Sequence, residues 1–206
     1  MEALGRRSPA DAVKAAMAGG ARLFQYRDKH GTGRDAYRRA NDLRRATADA
    51  GALLLVNDRC DLALAVDADG VHLGQDDLPL TLARAIMGPD KMIGLSTHTP
   101  AQVIAAAEQG ADYIGFGPIF ATGTKRDHEP VVGIGGLAGI RRLTSRPVFA
   151  IGGIILETTG TVMEAGADGV AVVSAVWSAA DPAGVVRQFI AQVRPSSRPV
   201  PERPGH

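Results

Sequence analysis

The sequence predicts an α/β fold, a parallel (β/α)8 barrel of the TIM type, on three observations. Short, almost continuous apolar runs alternate with longer alanine-rich amphipathic segments, which is typical of parallel strands covered on both faces. The runs are evenly spaced, and no dinucleotide-binding glycine motif follows the first of them. Polar residues cluster directly after many of the runs, at the end of a barrel where enzymes of this fold place their sites.

The strand-like runs are one fewer than the eight strands of a complete barrel. They span Arg22–Arg27, Leu53–Asn57, Gly70–Gly74, Met92–Ser96, Tyr113–Ile119, Pro147–Ile151 and Gly169–Ser174. The residues before Ala10 lack a strand pattern. We therefore expect either an irregular first strand or a chain that begins after it.

Helices are predicted between several of these strands. They span Ala10–Met17, Arg34–Ala50, Leu80–Ile86, Ala101–Gln109 and Ala183–Val193. Thr99 followed by Pro100, and Asp181 followed by Pro182, each combine an N-cap residue with a proline in the first turn. Gly51 suits the end of the second helix, because glycine readily adopts the left-handed conformation found there.

The bulk properties predict one domain over residues 1–194 and a proline-rich, disordered tail over 195–206. The formal net charge is +1 across 206 residues, which gives no reason to expect a nucleic-acid partner. No apolar run approaches the ~20 residues that span a bilayer, so no membrane partner is expected. Because Cys60 is the single cysteine and the N-terminus lacks a secretion signal, we expect a cytoplasmic protein.

Two polar loops follow the last two strands, where barrels of this type commonly bind phosphate. The first contains Gly152 and Gly153, whose backbone N–H groups can approach an anion closely. The second contains Val173 and Ser174, which adds a hydroxyl. These loops predict a phosphate site, although the paired glycines could instead simply form a tight turn.

Two aspartates follow the second and third strands and could meet at one end of the barrel. Asp58 and Asp77, next to bound phosphates, would suit Mg²⁺, which prefers oxygen ligands. Each aspartate also precedes a predicted helix and could cap it instead. Asp76 is an alternative ligand that spacing alone does not separate from Asp77.

Cationic and hydroxyl side chains supply further candidates. Gln25, Arg27 and Lys29 alternate along the first strand and share a face, where a polyanion such as pyrophosphate would neutralise the charges. The alternative for them is an exposed strand end. Thr122-Gly123-Thr124-Lys125 could clamp a phosphate or be an ordinary polar loop, and Ser96 ends the fourth strand. The residue types alone give no role to His72, His98, Cys60 and Trp177.

Long, ordered stretches of the chain resemble thiamine-phosphate synthases over Ala10–Ala191. They read QYRDK, LLLVNDRCDLALAVDADGVHLGQDDLP, IGLSTH, GADYIGFGPIFATGTKRD, FAIGGI and GADGVAVVSAV. The resemblance implies a (β/α)8 barrel that joins 4-amino-5-hydroxymethyl-2-methylpyrimidine diphosphate to a thiazole monophosphate, plain or carboxylated. Thiamine monophosphate and pyrophosphate would be the products, and the two substrates would be its small-molecule partners. Homo-oligomer formation is left open.

The resemblance also implies roles for individual residues. The pyrimidine diphosphate would contact Gln25, Arg27, Lys29, Asn57, Ser96 and Lys125; Arg27, Lys29, Ser96 and Lys125 would be the catalytic residues among them. The thiazole phosphate would contact Thr122, Thr124, Gly153, Val173 and Ser174. Mg²⁺ would be held by Asp58 and by Asp77, the second acidic position of GQDD.

The chain departs from the family in two places. Members usually have a strand before the QYRDK segment, and a proline often precedes the first threonine of the segment that reads ATGTK here. The related thiazole tautomerases are the nearest alternative, and retention of QYRDK, Asn57-Asp58 and Asp77 favours the synthase. More distant alternatives are a phosphate-binding isomerase or aldolase, with Lys29 or Lys125 as its only Schiff-base candidates, and a barrel that binds thiamine precursors without turnover.

Overall fold

The computed structural model describes residues 8–29, 31–123 and 129–193. Within these residues seven parallel strands form one sheet in sequential order, and the sheet curls into a TIM-barrel-like half-barrel. The strands are β1 Leu23–Tyr26, β2 Leu53–Asn57, β3 Gly70–Leu73, β4 Met92–Thr97, β5 Tyr113–Phe116, β6 Val148–Ile151 and β7 Gly169–Ala171. The predicted fold class and all seven predicted strands are confirmed. In the described part of the chain, β1 and β7 are the two edges of the sheet.

Helices follow the strands and cover the outside of the sheet. They are α1 Pro9–Ala18, α2 Gly33–Asp49, α3 Cys60–Ala65, α4 Leu80–Met87, α5 Pro100–Glu108, α6 Gly133–Ile140, α7 Leu156–Glu164, α8 Ser174–Trp177 and α9 Pro182–Gln192, with a 3-10 turn at Arg141–Leu143. The five predicted helices are confirmed. The other four had no predicted bounds, although a helix was expected after Asp58. Helices α3 and α8 are too short to show a helical repeat, and α6 and α7 are rich in glycine and threonine, which are poor helix formers.

The predicted helix signals act as expected. Thr99 accepts a hydrogen bond from the backbone N–H of Gln102 in a capping box, with Pro100 in the first turn. Asp181 accepts from the N–H of Gly184 at the start of α9. Gly51 follows the end of α2 with a φ of +62°, a left-handed conformation that glycine adopts without steric cost.

Two predicted strands end three residues earlier than expected. The fifth was predicted to reach Ile119 but ends at Phe116, because Pro118 has no N–H to continue the ladder of hydrogen bonds. The seventh was predicted to reach Ser174 but ends at Ala171. Val173, with φ −123° and ψ −80°, has left the extended conformation, and α8 begins at the next residue.

Glycines on the concave face of the sheet make room for large neighbours. Gly94 of β4 lies beside Tyr113 of β5, and a Cβ at position 94 would overlap the tyrosine ring. Gly169 of β7 lies beside Phe149 of β6 in the same way. Small and large residues thus alternate across neighbouring strands, and this alternation fills the concave interior with side chains.

The opposite end of the sheet carries a repeated clamp. An Ala-Asp pair precedes β3, β5 and β7, and each aspartate accepts a hydrogen bond from the preceding strand and pairs with an arginine. The contacts are Asp69 with Leu54 N (2.8 Å) and Arg44 (3.4 Å), Asp112 with Ile93 N (2.7 Å) and Arg84 (2.6 Å), and Asp168 with Val148 N (2.8 Å) and Arg141 (2.9 Å). Each clamp therefore joins two strands and a helical segment far from the predicted site.

Removal of one clamp should destabilise the fold. Asp112→Ala leaves the Ile93 N–H and the Arg84 guanidinium without their carboxylate, and we expect the free energy of unfolding to fall by about 1–3 kcal/mol. Asp61→Ala is the matched control, because its pair with Arg59 is largely exposed and should be worth less than about 1 kcal/mol. Urea unfolding measures both, and equal losses would contradict the clamp.

The helical layer is continuous across the two edges of the sheet. Helix α1 contacts both α2, which follows β1, and α9, which follows β7. The approach to α9 is close, since a Cβ at Gly19 would overlap the carbonyl oxygen of Ala183 and the side chain of Val186. No helix in the described ranges has the length and apolar character needed to cross a membrane.

Candidate active site

The predicted site residues follow the carboxyl ends of the parallel strands and so lie at one end of the sheet. Asn57 is the last residue of β2, Asp77 follows β3, and Ser96 lies near the end of β4. Because the strands are ordered as in the sequence, residues after β1–β4 form one half of this end. Residues after β5–β7 form the other half.

Asp58 and Asp77 are brought together, as predicted. The two carboxyl groups lie close enough to interact, and burial, followed by the neighbouring Asp77, raises the pKa of Asp58 above its usual value. Asp77 also accepts a hydrogen bond of 2.7 Å from the N–H of Gly74. Asp58 has a φ of +65°, uncommon for a residue with a side chain, and its N–H donates to the carbonyl of His72 at 2.8 Å.

The capping alternative for these two aspartates is wrong. Helix α3 begins after Arg59 and α4 begins after Pro79, and neither helix has a side-chain cap. Both carboxylates are instead directed to each other at the end of the sheet. The structure thus separates Asp77, which touches Asp58, from its exposed neighbour Asp76.

The acidic pair suits Mg²⁺ by the chemistry of its donors. Magnesium is commonly held by one or two carboxylates, with substrate phosphates and water completing the shell. Two carboxylates in contact, with a raised pKa on one, are a place where a cation would relieve the repulsion. In the described ranges no group of three or more metal-ligating side chains occurs.

One cation, Lys29, lies beside the acidic pair after the end of β1. The Lys29 Nζ lies 3.4 Å from Asp58 Oδ2, and this ammonium group lowers the pKa of Asp58 against the larger effects of burial and Asp77. Gln25 and Arg27 are exposed on the same side of the strand, as the strand-end alternative expected. Arg27 forms no ion pair with any residue in the described ranges, so its charge is available to an anionic ligand.

Ser96 belongs to a hydrogen-bonded chain that the sequence did not predict. The His72 Nε2 lies 2.8 Å from the Ser96 Oγ, and the His72 Nδ1 lies 2.7 Å from the Tyr113 hydroxyl. Gln75 Nε2 donates to the Ser96 carbonyl at 2.6 Å. His72 had no role from sequence, because only the register of β3, β4 and β5 places it between the other two.

The second half of the site is built on the loop after β6. Gly152 and Gly153 have φ values of +89° and +65°, and a Cβ at Gly153 would overlap the carbonyl oxygen of Ala121. The loop after β5 is joined to this one, since Ile119 N donates to Ile151 O at 2.9 Å and Phe120 N donates to Gly152 O at 3.1 Å. The glycines therefore form the tight turn and also permit the contact between the two loops.

Three further predicted residues follow β5 and β7 at the same end of the sheet. Thr122 continues the loop after β5 and is partly buried. Val173 is 45% exposed, and Ser174 is exposed at the start of α8, after β7. The predicted residues Thr124 and Lys125 lie outside the described residues.

Cys60 and His98, which had no predicted role, both occupy structural positions. Cys60 is buried at the start of α3, and burial raises the pKa of its thiol, which keeps it protonated and unreactive. His98 Nδ1 lies 2.5 Å from the Gly117 carbonyl and holds the start of the loop after β5. Apart from the acidic pair, the side chains of the site are mainly cationic or carry hydroxyl groups, and such groups suit anionic ligands.

Comparison with known proteins gives one consistent family. The family described as "Thiamine monophosphate synthase" matches residues 2–176. A thiamine-phosphate synthase of Chloroflexus aurantiacus is 50% identical over 187 residues, covering 91% of this chain and 86% of the relative. Another from Laribacter hongkongensis is 49% identical, covering 87% and 84%. The solved thiamine phosphate pyrophosphorylase of Pyrococcus furiosus superposes with a TM-score of 0.85 at 37% identity, covering 94% of this chain and 92% of that one.

Proposed function

Because this chain belongs to the thiamine monophosphate synthase family, a family of transferases, we propose that it joins the hydroxymethylpyrimidine diphosphate to the thiazole phosphate and releases pyrophosphate. The division of the site supports this reaction. An acidic pair with cations follows β1–β3, and a glycine turn with hydroxyls follows β6 and β7. Two differently charged halves at one end of a sheet suit two phosphorylated substrates that react with each other.

The first half would hold the pyrimidine diphosphate. Asp58 and Asp77 would hold Mg²⁺, which would supply positive charge to the diphosphate oxygens. Arg27, Lys29 and Lys125 would add charge-assisted hydrogen bonds to the same oxygens. Gln25, Asn57 and Ser96 would position the pyrimidine and the diphosphate.

The second half would hold the thiazole phosphate. The positive-φ turn at Gly152 and Gly153 would present backbone N–H groups to an anion. Thr122, Thr124 and Ser174 would add hydroxyl donors, and Val173 would contribute its backbone next to Ser174. An anion would then be fixed by neutral donors, away from the acidic pair.

The chemical step is a substitution at the methylene carbon of the pyrimidine. The bond from this carbon to the diphosphate oxygen breaks and its electron pair leaves with pyrophosphate. The lone pair of the thiazole nitrogen forms the new carbon–nitrogen bond. The electron-rich aminopyrimidine stabilises the positive charge that develops on the carbon, so a dissociative course is expected. The cations stabilise the charge on the leaving group, and no protein nucleophile is required.

The direct test is formation of thiamine monophosphate by the purified protein from both substrates, with and without Mg²⁺. We expect product and pyrophosphate in equal amounts, with Mg²⁺ required for both. Release of pyrophosphate without the coupled product would contradict the proposal. Turnover of the thiazole alone would also contradict it and would favour the tautomerase alternative. Binding of both substrates without any turnover would contradict it in favour of a precursor-binding protein.

The division of the site predicts a selective effect of Ser174→Ala. Loss of this hydroxyl should raise the KM for the thiazole phosphate about 10-fold, the worth of one hydrogen bond to a charged group. The KM for the pyrimidine diphosphate should change less than about 2-fold. Initial rates with one substrate varied and the other saturating measure both constants. Equal changes in the two would contradict the assignment of Ser174 to the thiazole half.

A further inference from the structure

We propose that His72 is a positioning residue: together with Tyr113 it orients the Ser96 hydroxyl so that its proton points toward the bound substrate. The inference rests on the proposed function, in which Ser96 contacts the pyrimidine diphosphate. It assigns a role to two buried residues that do not themselves belong to the proposed substrate contacts. The role is to make Ser96 a hydrogen-bond donor, which an oxygen-rich anion requires.

The three side chains form a continuous chain across the concave face of the sheet. Tyr113 Oη lies 2.7 Å from His72 Nδ1, and His72 Nε2 lies 2.8 Å from Ser96 Oγ. The imidazole and the tyrosine ring are stacked, with centroids 5.4 Å apart. His72 and Tyr113 are both buried, whereas Ser96 is only partly buried at the end of β4, so the chain runs from the interior toward the proposed site.

The tyrosine fixes the direction of the chain. Burial raises the pKa of Tyr113 well above its usual value, so the phenol keeps its proton. Among the described residues, the only hydrogen-bond partner of this hydroxyl is the His72 Nδ1. The phenol must therefore donate to Nδ1, since a buried O–H without an acceptor is costly.

The histidine carries this direction to the serine. With Nδ1 accepting, a neutral imidazole holds its proton on Nε2 and donates it to the Ser96 Oγ. The serine oxygen then serves as an acceptor toward His72, and its own proton is left to donate elsewhere. A phosphate oxygen, which has no proton of its own to donate, is the partner that such a serine suits.

The same accounting argues against a nucleophilic serine. For His72 to remove the Ser96 proton, Nε2 would have to accept, and the imidazole proton would have to sit on Nδ1. Nδ1 would then donate to the Tyr113 oxygen, and the buried phenol proton would lose its acceptor among the described residues. Tyr113 thus stands where a carboxylate would be needed for a catalytic triad, and it favours the opposite tautomer.

Packing holds the imidazole in this position. A Cβ at Gly115 of β5 would come 3.2 Å from the His72 Cε1. Strand β5 therefore leaves little spare room around the imidazole ring. On the other side of Tyr113, the Phe149 ring meets it edge-on with centroids 5.4 Å apart. Phe149 contacts the chain of hydrogen bonds without belonging to it, which makes it the matched control for packing.

A double-mutant cycle on kcat/KM for the pyrimidine diphosphate tests the role. Tyr113→Phe should lower kcat/KM about 10-fold in the otherwise unchanged protein. In a Ser96→Ala background, Tyr113→Phe should lower kcat/KM less than about 2-fold, because the hydroxyl that it orients is absent. Phe149→Leu should instead have the same effect in both backgrounds. An equal, additive effect of Tyr113→Phe would overturn the proposal and leave Tyr113 a packing residue.

Nitrogen-15 NMR of the imidazole in the substrate-free protein is the second readout, and it does not depend on activity. We expect His72 to be the Nε2–H tautomer in the unchanged protein and to lose this preference in Tyr113→Phe. An Nδ1–H tautomer in the unchanged protein would overturn the inference whatever the kinetics show. The Nε2–H tautomer combined with full kcat/KM in Ser96→Ala would show that the hydrogen-bond chain exists but that the proposed substrate contact of Ser96 is wrong.

Discussion

Asp77→Asn is expected to lower kcat by about 100-fold or more at saturating concentrations of both substrates. The substitution keeps an oxygen that can accept from the Gly74 N–H but removes the charge that would hold Mg²⁺ together with Asp58. Charge stabilisation by a metal at a leaving group is worth several kcal/mol, and each 1.4 kcal/mol is about a factor of ten in rate. Initial rates over a range of Mg²⁺ concentrations measure the effect.

Asp76→Asn is the matched control, because Asp76 precedes Asp77 in the chain and is exposed. We expect its rate and its Mg²⁺ dependence to stay within about 2-fold of the unchanged protein. This pair also decides between the two positions that sequence spacing left open. A large loss in Asp76→Asn with normal activity in Asp77→Asn would contradict the placement of the metal between Asp58 and Asp77.

Asp77→Asn should not lower the stability of the metal-free protein at neutral pH. Burial and the neighbouring Asp77 raise the pKa of Asp58 in the folded protein. Since the folded state then holds this proton more tightly than the unfolded chain does, the free energy of unfolding falls as the pH rises from the ordinary carboxyl pKa through the raised one. Asp77→Asn removes one of the two causes of the raised Asp58 pKa. Thermal unfolding without Mg²⁺ should therefore show a smaller loss of stability as the pH rises over this range. A steeper loss would show that the pair stabilises the fold.

The strands could be predicted from the sequence because their physical signal is local. A strand covered on both faces must be apolar along its length, and runs such as Leu53–Asn57 are confirmed with unchanged bounds. Their ends were less predictable where the chain leaves the sheet, as after Phe116 and Ala171. The missed helices have either too few residues for a period or too many glycines and threonines.

The site was predictable to the extent that it follows strand ends. Asp58, Asp77 and Lys29 are brought together because the carboxyl ends of adjacent parallel strands meet at one edge. The roles of His72 and Tyr113 could not be found in this way, because a hydrogen bond between β3 and β5 depends on the register of both with β4. This register places Gly94 of β4 beside Tyr113 of β5.

Gly94→Ala should strongly destabilise the protein. A Cβ at position 94 would overlap the ring and hydroxyl of Tyr113, which is itself held by His72 on one side and Phe149 on the other. Neither the ring nor β4 can move without disturbing the paired strands. Overpacking of this kind costs about 1–3 kcal/mol or more, and we expect the upper end of that range.

The matched control is the same substitution in a helix with free space. Gly139 lies in α6, and nothing approaches within 4 Å of the position its Cβ would take. Gly139→Ala should therefore stabilise the protein by about 0.5–1 kcal/mol, because alanine loses less backbone freedom on folding. Urea unfolding of both variants should give changes of opposite sign. Because a displaced Tyr113 would also release His72, any folded Gly94→Ala protein should lose the Nε2–H preference of His72; its retention would mean that the tyrosine accommodates the methyl group without leaving the imidazole.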